Sequence, residues 1–157
     1  MAGAIAAAQF AAACGFQLRR AAQFQFRTIY VGFPPGSLTH VEFNRQMRVN
    51  DGVALVDRPE AAEVRLEVLQ EFREKETVSF SSTGRPREYQ LRLTFAFRLT
   101  DREGDELIPP TQLLLRREIT TTDDQLIAKE QEEAGLFRRM HADLAEQLVL
   151  RLAAVRR

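Results

Sequence analysis

The side chains of this sequence best suited to chemistry are its basic ones, and nearly all of them are arginines. Twenty of the 22 basic residues are arginines, whose planar guanidinium groups can hold phosphate through two parallel hydrogen bonds. Arg85 and Arg87 flank a turn-forming segment, and Lys129 lies near the start of a predicted helix. This clustering indicates a local site for an anionic group, with the base composition of the genome as the competing explanation for the arginine bias.

A second group of arginines lies on predicted strands. Arg92 and Arg98 project from the polar face of the longest strand, and Arg116 lies on the last one. Two interpretations stay open. These guanidinium groups could hold the phosphates of an anionic amphiphile, or they could pair with Glu67 or Glu118 across the sheet.

Patterns for catalysis and metal binding are missing from the sequence. His40 and His141 are its only histidines, and neither has a second histidine or a cysteine at ligand spacing. Cys14 is the only thiol, no G-x-S-x-G motif occurs, and no glycine-rich phosphate loop is present. Acidic runs such as Glu132 and Glu133 are typical of a solvated helix face. We therefore expect a protein that is not an enzyme and that needs neither a metal nor another cofactor.

The N-terminal segment is typical of an export signal. Residues 1–13 are rich in alanine and uncharged, and they end directly before Cys14. This arrangement predicts a signal peptide over residues 1–13 and a lipid-modified Cys14, as in bacterial lipoproteins. The competing interpretation is an alanine-rich helical turn with a buried cysteine. Gly15 stands where an aspartate would favour the inner membrane, so we expect the outer membrane.

Length and charge restrict the remaining chain to one domain, residues 14–157. The 157-residue chain has 22 basic and 22 acidic side chains, so its formal net charge is zero. A neutral protein lacks the long-range attraction with which basic proteins find nucleic acid, and we expect no nucleic-acid partner. A chain of this size can bury a core without disulfides.

Hydrophobic periodicity predicts the secondary structure. Alternating apolar and polar residues predict strands, with the longest running from Tyr89 to Thr100 and antiparallel to its neighbours. Pro109 and Pro110 are expected in the loop that enters the last strand. The strands are predicted over residues 24–31, 53–56, 63–72 with a resumption at 78–80, 89–100 and 113–121.

Two helices are predicted beside these strands. Thr39 and Glu42 have capping-box spacing at the start of the first helix, and Thr122 and Gln125 have it at the start of the second. Apolar residues at three- and four-residue spacing mark the buried face of the second helix: Phe137, Met140, Leu144, Leu148 and Leu152. The element order predicts an α+β domain with two helices packed on a mainly four-stranded mixed or antiparallel sheet.

Several segments, taken in order, resemble the LptE family of lipopolysaccharide-assembly lipoproteins, formerly called rare lipoprotein B. The resemblance covers almost all of the chain from Cys14 onwards, and it depends on the order and spacing of the pieces together. The matching segments are residues 14–19 (CGFQLR), 38–57 with the ending GVALVD, 87–91 (REYQL), 128–129 (AK) and 145–148 (AEQL).

The resemblance implies an outer-membrane lipoprotein that plugs the lumen of the LptD β-barrel and assists barrel assembly and lipopolysaccharide delivery to the outer leaflet. It also implies a lipopolysaccharide-binding site made by basic residues. Lys129 matches one of the family's basic positions, and Arg85 and Arg87 lie nearest to the other, which aligns near Ser82. The alternative is an envelope lipoprotein that binds or carries another anionic amphiphile and has no barrel partner.

We predict that Cys14 is the acylated first residue of the mature protein. Each buried methylene of a lipid chain contributes about 0.8 kcal/mol, so several chains on one residue hold a domain at a membrane. The Cys14→Ser variant should therefore appear in the soluble periplasmic fraction, while the parent stays with the membranes. Mass spectrometry of the envelope-bound parent gives the decisive measurement, because an unmodified N-terminus at Met1 would contradict the prediction.

Overall fold

A mixed sheet with both helices on one of its faces makes up the described part of the protein. The computed structural model describes residues 22–50, 52–120 and 126–156. The elements are β1 (Thr28–Gly32), α1 (Leu38–Arg48), β2 (Ala54–Val56), β3 (Val64–Phe80), β4 (Pro86–Asp101), β5 (Glu106–Thr120) and α2 (Leu126–Ala153). The strand order is β2-β1-β3-β4-β5, with β1 parallel to both neighbours and the other pairs antiparallel. The predicted α+β class is confirmed.

The core lies between the two helices and the inner face of the sheet. Phe43 and Met47 of α1 are buried on one face, as their four-residue spacing predicted. The five apolar positions predicted for the second helix are all buried on α2 and belong to the same cluster. They meet alternate residues of β4, which are fully buried: Leu91, Leu93, Phe95, Phe97 and Leu99.

The sheet has five strands rather than the mainly four that the sequence suggested. The short segment after α1 forms β2, which pairs in parallel with β1 through three residue pairs, from Thr28 with Ala54 to Tyr30 with Val56. A strand this short adds little burial, and Ala54 and Leu55 remain exposed. It extends the sheet edge without changing the fold class.

Pro109 and Pro110 lie inside β5, so their assignment to an entry loop was wrong. Phe97 pairs with Thr111 and Leu99 with Ile108, which leaves the two prolines opposite a single residue of β4. This is a bulge on an edge strand, where a missing backbone N–H donor costs no ladder hydrogen bond.

β3 is one continuous strand of 17 residues, with a bulge that the alternating pattern did not predict. Val68 pairs with Phe97 and Gln70 with Ala96, so Leu69 is an extra residue in the ladder. One extra residue exchanges the two faces of everything that follows. Strict alternation would put Phe72 on the same face as Val64, Leu66 and Val68, but it lies opposite Thr94 on the open face. Glu71, Arg73 and Lys75 take the helix-facing positions, opposite Phe95, Leu93 and Leu91.

The first helix starts two residues earlier than predicted. The Ser37 hydroxyl accepts a hydrogen bond from the His40 N–H at 3.0 Å, which makes Ser37 the N-cap. Thr39 is therefore not the cap but a fully buried residue of the first turn. The helix ends at Arg48.

Three expectations concern residues outside the described ranges. They are the signal peptide over residues 1–13, the lipid attachment site at Cys14 and the helix cap at residues 122–125. Each stays a prediction.

We predict that Leu148→Ala lowers the free energy of unfolding by about 2–5 kcal/mol, because it opens a cavity under a fully buried side chain of α2. Leu150→Ala is the matched control on the same helix, since Leu150 is 54% exposed. It should change the free energy of unfolding by only about 0.5 kcal/mol. Urea unfolding of both variants checks this, and equal losses would contradict the burial pattern.

Candidate functional site

The turn between β3 and β4 places Arg85 and Arg87 at one end of the sheet. The Ser81 N–H donates to the Arg85 carbonyl at 2.7 Å, and the Ser81 hydroxyl accepts from the Arg85 N–H at 3.1 Å. Gly84 closes the turn at φ +78°, a left-handed conformation that suits glycine. Arg85 and Arg87 are exposed there. We name the turn, the adjoining strand ends and the N-terminal turns of α2 the distal end.

Three contacts align α2 with β3 and thereby locate Lys129. Along β3, Glu71 lies near His141, the Arg73 guanidinium lies 5.4 Å from the ring centre of Phe137, and Lys75 Nζ lies 2.6 Å from a Glu133 carboxylate oxygen. A step of two residues along β3 therefore corresponds to a step of four residues along α2, because each covers about 6 Å. The next step along this alignment puts Lys129 at the level of Thr77, close to the turn.

The three predicted cations thus share the distal end but differ in their surroundings. Lys129 Nζ forms an ion pair with Glu132 at 2.8 Å, and its side chain is only 25% exposed. Arg85 and Arg87 lie further out along the hairpin by two to four strand residues, roughly 7–13 Å. A ligand that contacts all three must therefore be large or carry more than one anionic group.

Apolar side chains accompany these cations. Phe80 is 62% exposed and Val78 is 48% exposed, and Phe80 pairs with Pro86 immediately beside the turn. A neighbouring groove of about 500 Å³ between β3 and α2 is lined by both signs of charge, including Lys75, Glu130 and Glu133. The turn is therefore amphipathic, because its guanidinium groups lie next to exposed apolar side chains.

The arginines on the open face of the sheet are largely occupied by acidic neighbours. Arg92 pairs with Glu76 at 2.6 Å, and Arg98 pairs with Glu67 at 2.7 Å. Of the two interpretations left open by the sequence, cross-strand ion pairing is the one that the structure supports for these two residues. These two arginines are therefore held by acidic neighbours on the open face.

A buried polar cluster, missed by the sequence reasoning, joins three elements. The Thr39 hydroxyl of α1 donates to Glu71 Oε1 of β3 at 2.5 Å and lies 2.8 Å from His141 Nδ1 of α2. A hydroxyl that donates to the carboxylate can only accept from the imidazole, so Nδ1 carries the proton. The available signal was the four-residue spacing of Thr39, Phe43 and Met47, which places Thr39 on the buried face of α1.

Burial controls the charge of the imidazole in this cluster. Desolvation lowers the pKa of His141 below the usual 6.5, and Arg73 lowers it further, while Glu71 and Glu42 oppose the shift. His141 is therefore neutral at pH 7. In a catalytic triad the imidazole lies between the hydroxyl and the carboxylate. Here the Thr39 hydroxyl lies between the Glu71 carboxylate and the His141 imidazole, so the arrangement is not that of a triad.

Across residues 22–50, 52–120 and 126–156, no group of three histidine, cysteine or carboxylate side chains comes together to hold a metal ion. No helix in these ranges combines the length and apolar character needed to cross a membrane.

Solved structures with this fold include bacterial lipoproteins. Lipoprotein B of Nitrosomonas europaea matches with a TM-score of 0.76 at 29% identity, over 89% of this chain and 91% of that one. Rare lipoprotein B of Shewanella oneidensis shares the fold with a TM-score of 0.70 at 19% identity, over 82% of this chain and 95% of that one. The fold is thus that of an α+β domain of the type seen in these lipoproteins.

Sequence comparisons narrow this class to one family. The LptE family model, described as lipopolysaccharide-assembly, matches residues 26–152. The LPS-assembly lipoprotein LptE of Pectobacterium atrosepticum is 30% identical over 151 residues, which cover 92% of this chain and 79% of that protein. The chain belongs to the LptE family, and the resemblance noted in the sequence is confirmed.

We predict that the contribution of His141 to stability falls as the pH falls. Below pH 6.5 the unfolded chain binds a proton at this histidine, whereas the folded chain, with its lowered pKa, does not. The free energy of unfolding therefore decreases through this range, by at most about 1.4 kcal/mol per pH unit. Relative to His141→Gln, the parent should lose its advantage between pH 8 and pH 5 in urea unfolding.

An NMR titration of the His141 ring in the parent provides an independent measurement of the same shift. A midpoint at or above 6.5, or an advantage over His141→Gln that grows in acid, would show that the carboxylates outweigh desolvation.

Proposed function

We propose that this protein is an outer-membrane lipoprotein, anchored through Cys14, that plugs the lumen of the LptD β-barrel and assists its assembly and lipopolysaccharide delivery to the outer leaflet. The observation that carries the proposal is the family match over residues 26–152, whose description is lipopolysaccharide assembly. The Pectobacterium relative, named an LPS-assembly lipoprotein, supports the same role.

Within this function, the distal end is the contact for lipopolysaccharide. Arg85, Arg87 and Lys129 face the phosphate groups, and Phe80 beside the turn suits the apolar part of the same molecule. Charge-assisted hydrogen bonds to a multiply phosphorylated headgroup add across several side chains, whereas one exposed ion pair contributes only about 0–1 kcal/mol. Because the net charge of the chain is zero, binding depends on this local concentration of cations.

The alternative function is an envelope lipoprotein that binds or carries another anionic amphiphile without a barrel partner. The exposed Phe80 and Val78 beside the arginines favour it as a second candidate, because this combination suits any anionic amphiphile. The partner distinguishes the two functions. A plug is recovered from detergent-solubilised outer membrane together with LptD, whereas a carrier is recovered with lipid alone.

We predict that the triple variant Arg85→Glu, Arg87→Glu, Lys129→Glu keeps its fold and still copurifies with LptD but no longer binds lipopolysaccharide. The three substitutions reverse every cation assigned to the site, so phosphate is repelled rather than held. Lys129→Glu alone should weaken binding only modestly. Binding of purified lipopolysaccharide at low and raised salt measures the effect, since salt screens exposed charges.

The matched control is the triple variant Arg27→Glu, Arg48→Glu, Arg58→Glu. These three arginines are also exposed, and none of them belongs to the turn, to the adjoining ends of β3 and β4, or to α2. The control has the same change in net charge, and its lipopolysaccharide binding should stay close to the parent. If the distal triple variant binds lipopolysaccharide as well as the parent does, the assignment of the binding site to these three cations is wrong. Recovery of the parent without LptD would overturn the plug function and favour the carrier.

A further inference from the structure

The outer edge of β5 is a free edge of the sheet. β5 is last in the strand order, and no strand of the described residues pairs with the side that faces away from β4. A groove of about 440 Å³ between β5 and α2 opens along this edge. Pro109 and Pro110 interrupt only the first part of the strand, so the stretch from Thr111 to Thr120 keeps the N–H donors that a further strand needs.

Arg116 and Glu118 are two exposed charges of opposite sign on the open face of this edge strand. Arg116 lies opposite Arg92, a like charge that pairs with Glu76, and Glu118 lies opposite Gln90. Neither Arg116 nor Glu118 forms an ion pair with another described residue. Residues two apart in a strand are separated by about 7 Å, which is too far for a close ion pair between them. A carboxylate on the free side of Arg116 would therefore offset the unfavourable neighbour.

The charges of this edge are complementary to themselves. When two copies of β5 run antiparallel with Arg117 on the two-fold axis, Arg116 of each copy lies opposite Glu118 of the other. The Cβ atoms of residues paired in this way are about 4.5–5.5 Å apart, which suits an ion pair. On the helix-facing side, the same register places the apolar Leu115 opposite Ile119. Moving the axis by one residue would place Arg116 or Glu118 opposite its own copy, so the charges select this register.

Arg117 makes the one contact between like charges in this register. Its guanidinium forms an ion pair with Asp143 of α2 at 2.8 Å, so each copy brings its own counter-ion to the axis. The ladder ends where Thr120 lies opposite Leu114 of the other copy. Pro109 and Pro110 therefore lie outside the paired stretch, and no N–H donor is missing from it.

We propose that β5 is the interface of a homodimer, in which the β5 strands of two copies pair antiparallel about a two-fold axis at Arg117. The strand at the other end of the sheet, β2, has only three residues, so β5 cannot pair with it over the same length. A contact between two β5 strands is closed by its symmetry and does not continue into a fibre. The paired stretch is short, so we expect a dimer that forms in the micromolar range.

Sedimentation equilibrium of the purified full chain tests the dimer, with Cys14→Ser in every variant so that neither a thiol nor a lipid joins two copies. The mass of the parent should rise from that of one copy towards that of two as the concentration is raised through the micromolar range. Arg116→Glu places glutamate opposite Glu118 at both pairs and should weaken the dimer about tenfold. Arg48→Glu is the matched control, because it changes the net charge equally at an exposed position of α1 and should dimerise like the parent.

A charge exchange separates the proposed pairing from a general effect of charge. Glu118→Arg alone places two arginines opposite each other and should weaken the dimer as Arg116→Glu does. The double variant Arg116→Glu, Glu118→Arg restores opposite charges at both pairs in reversed order. Its dimer should therefore return to within about threefold of the parent.

Cysteine crosslinking tests the register. Paired Cα atoms in an antiparallel ladder are about 4.5–5.5 Å apart, which is within the range of a disulfide. Arg117→Cys lies on the axis and should form a linked dimer about tenfold faster than Gln112→Cys does, because residue 112 falls beyond the paired stretch. Gln112 is exposed on the same strand, so the two thiols differ mainly in their position relative to the axis.

Three results would overturn the proposal: a parent that stays monomeric, an Arg116→Glu variant that dimerises as well as the parent, or a double variant that does not recover the dimer. Faster crosslinking through Gln112→Cys than through Arg117→Cys would show that the axis is assigned wrongly. The interface goes beyond the proposed function and uses none of the distal cations. Loss of lipopolysaccharide binding in the distal triple variant therefore leaves the dimer unchanged, and a monomeric parent leaves recovery with LptD unaffected.

Discussion

The bulge at Leu69 is the constraint on which the rest of the molecule depends. A strand exchanges its two faces when one residue is inserted into the ladder, so the bulge turns Phe72 to the open side and Glu71, Arg73 and Lys75 towards the helices. Without it, Gln70, Phe72 and Glu74 would take the helix-facing positions. With it, α2 meets a row of charges and must supply Glu133, Phe137 and His141 to match them.

The bulge divides the packing between the sheet and the helices into an apolar part and a polar part. At one end, the apolar face of β4 and both helices form a closed core that accounts for most of the stability. Towards the turn, β3 and α2 are joined by an ion pair, a cation over an aromatic ring and the Thr39 cluster. The ion pair and the cation over the ring are partly exposed and contribute about 1 kcal/mol or less each, so the end of the sheet near the turn is held more loosely than the core.

The charges follow the same division. On the open face, Arg92 and Arg98 are paired across the strands with Glu76 and Glu67. The cations at the turn have exposed apolar neighbours, Phe80 and Val78. In this neutral chain of the LptE family, any attraction for an anionic ligand must come from a local group of cations rather than from the charge of the whole protein.

The sequence by itself determined the α+β class, the buried faces of both helices, the turn that bears Arg85 and Arg87, and the family. These features follow from apolar periodicity, turn formers and motif order, which are local properties of the chain. Only the tertiary structure decided the bulge at Leu69, the burial of Thr39 and the alignment that brings Lys129 towards the turn. The distal part of β3 carries few apolar residues, so its pattern does not specify a face. Its register is selected by the side chains that α2 and α1 place opposite it.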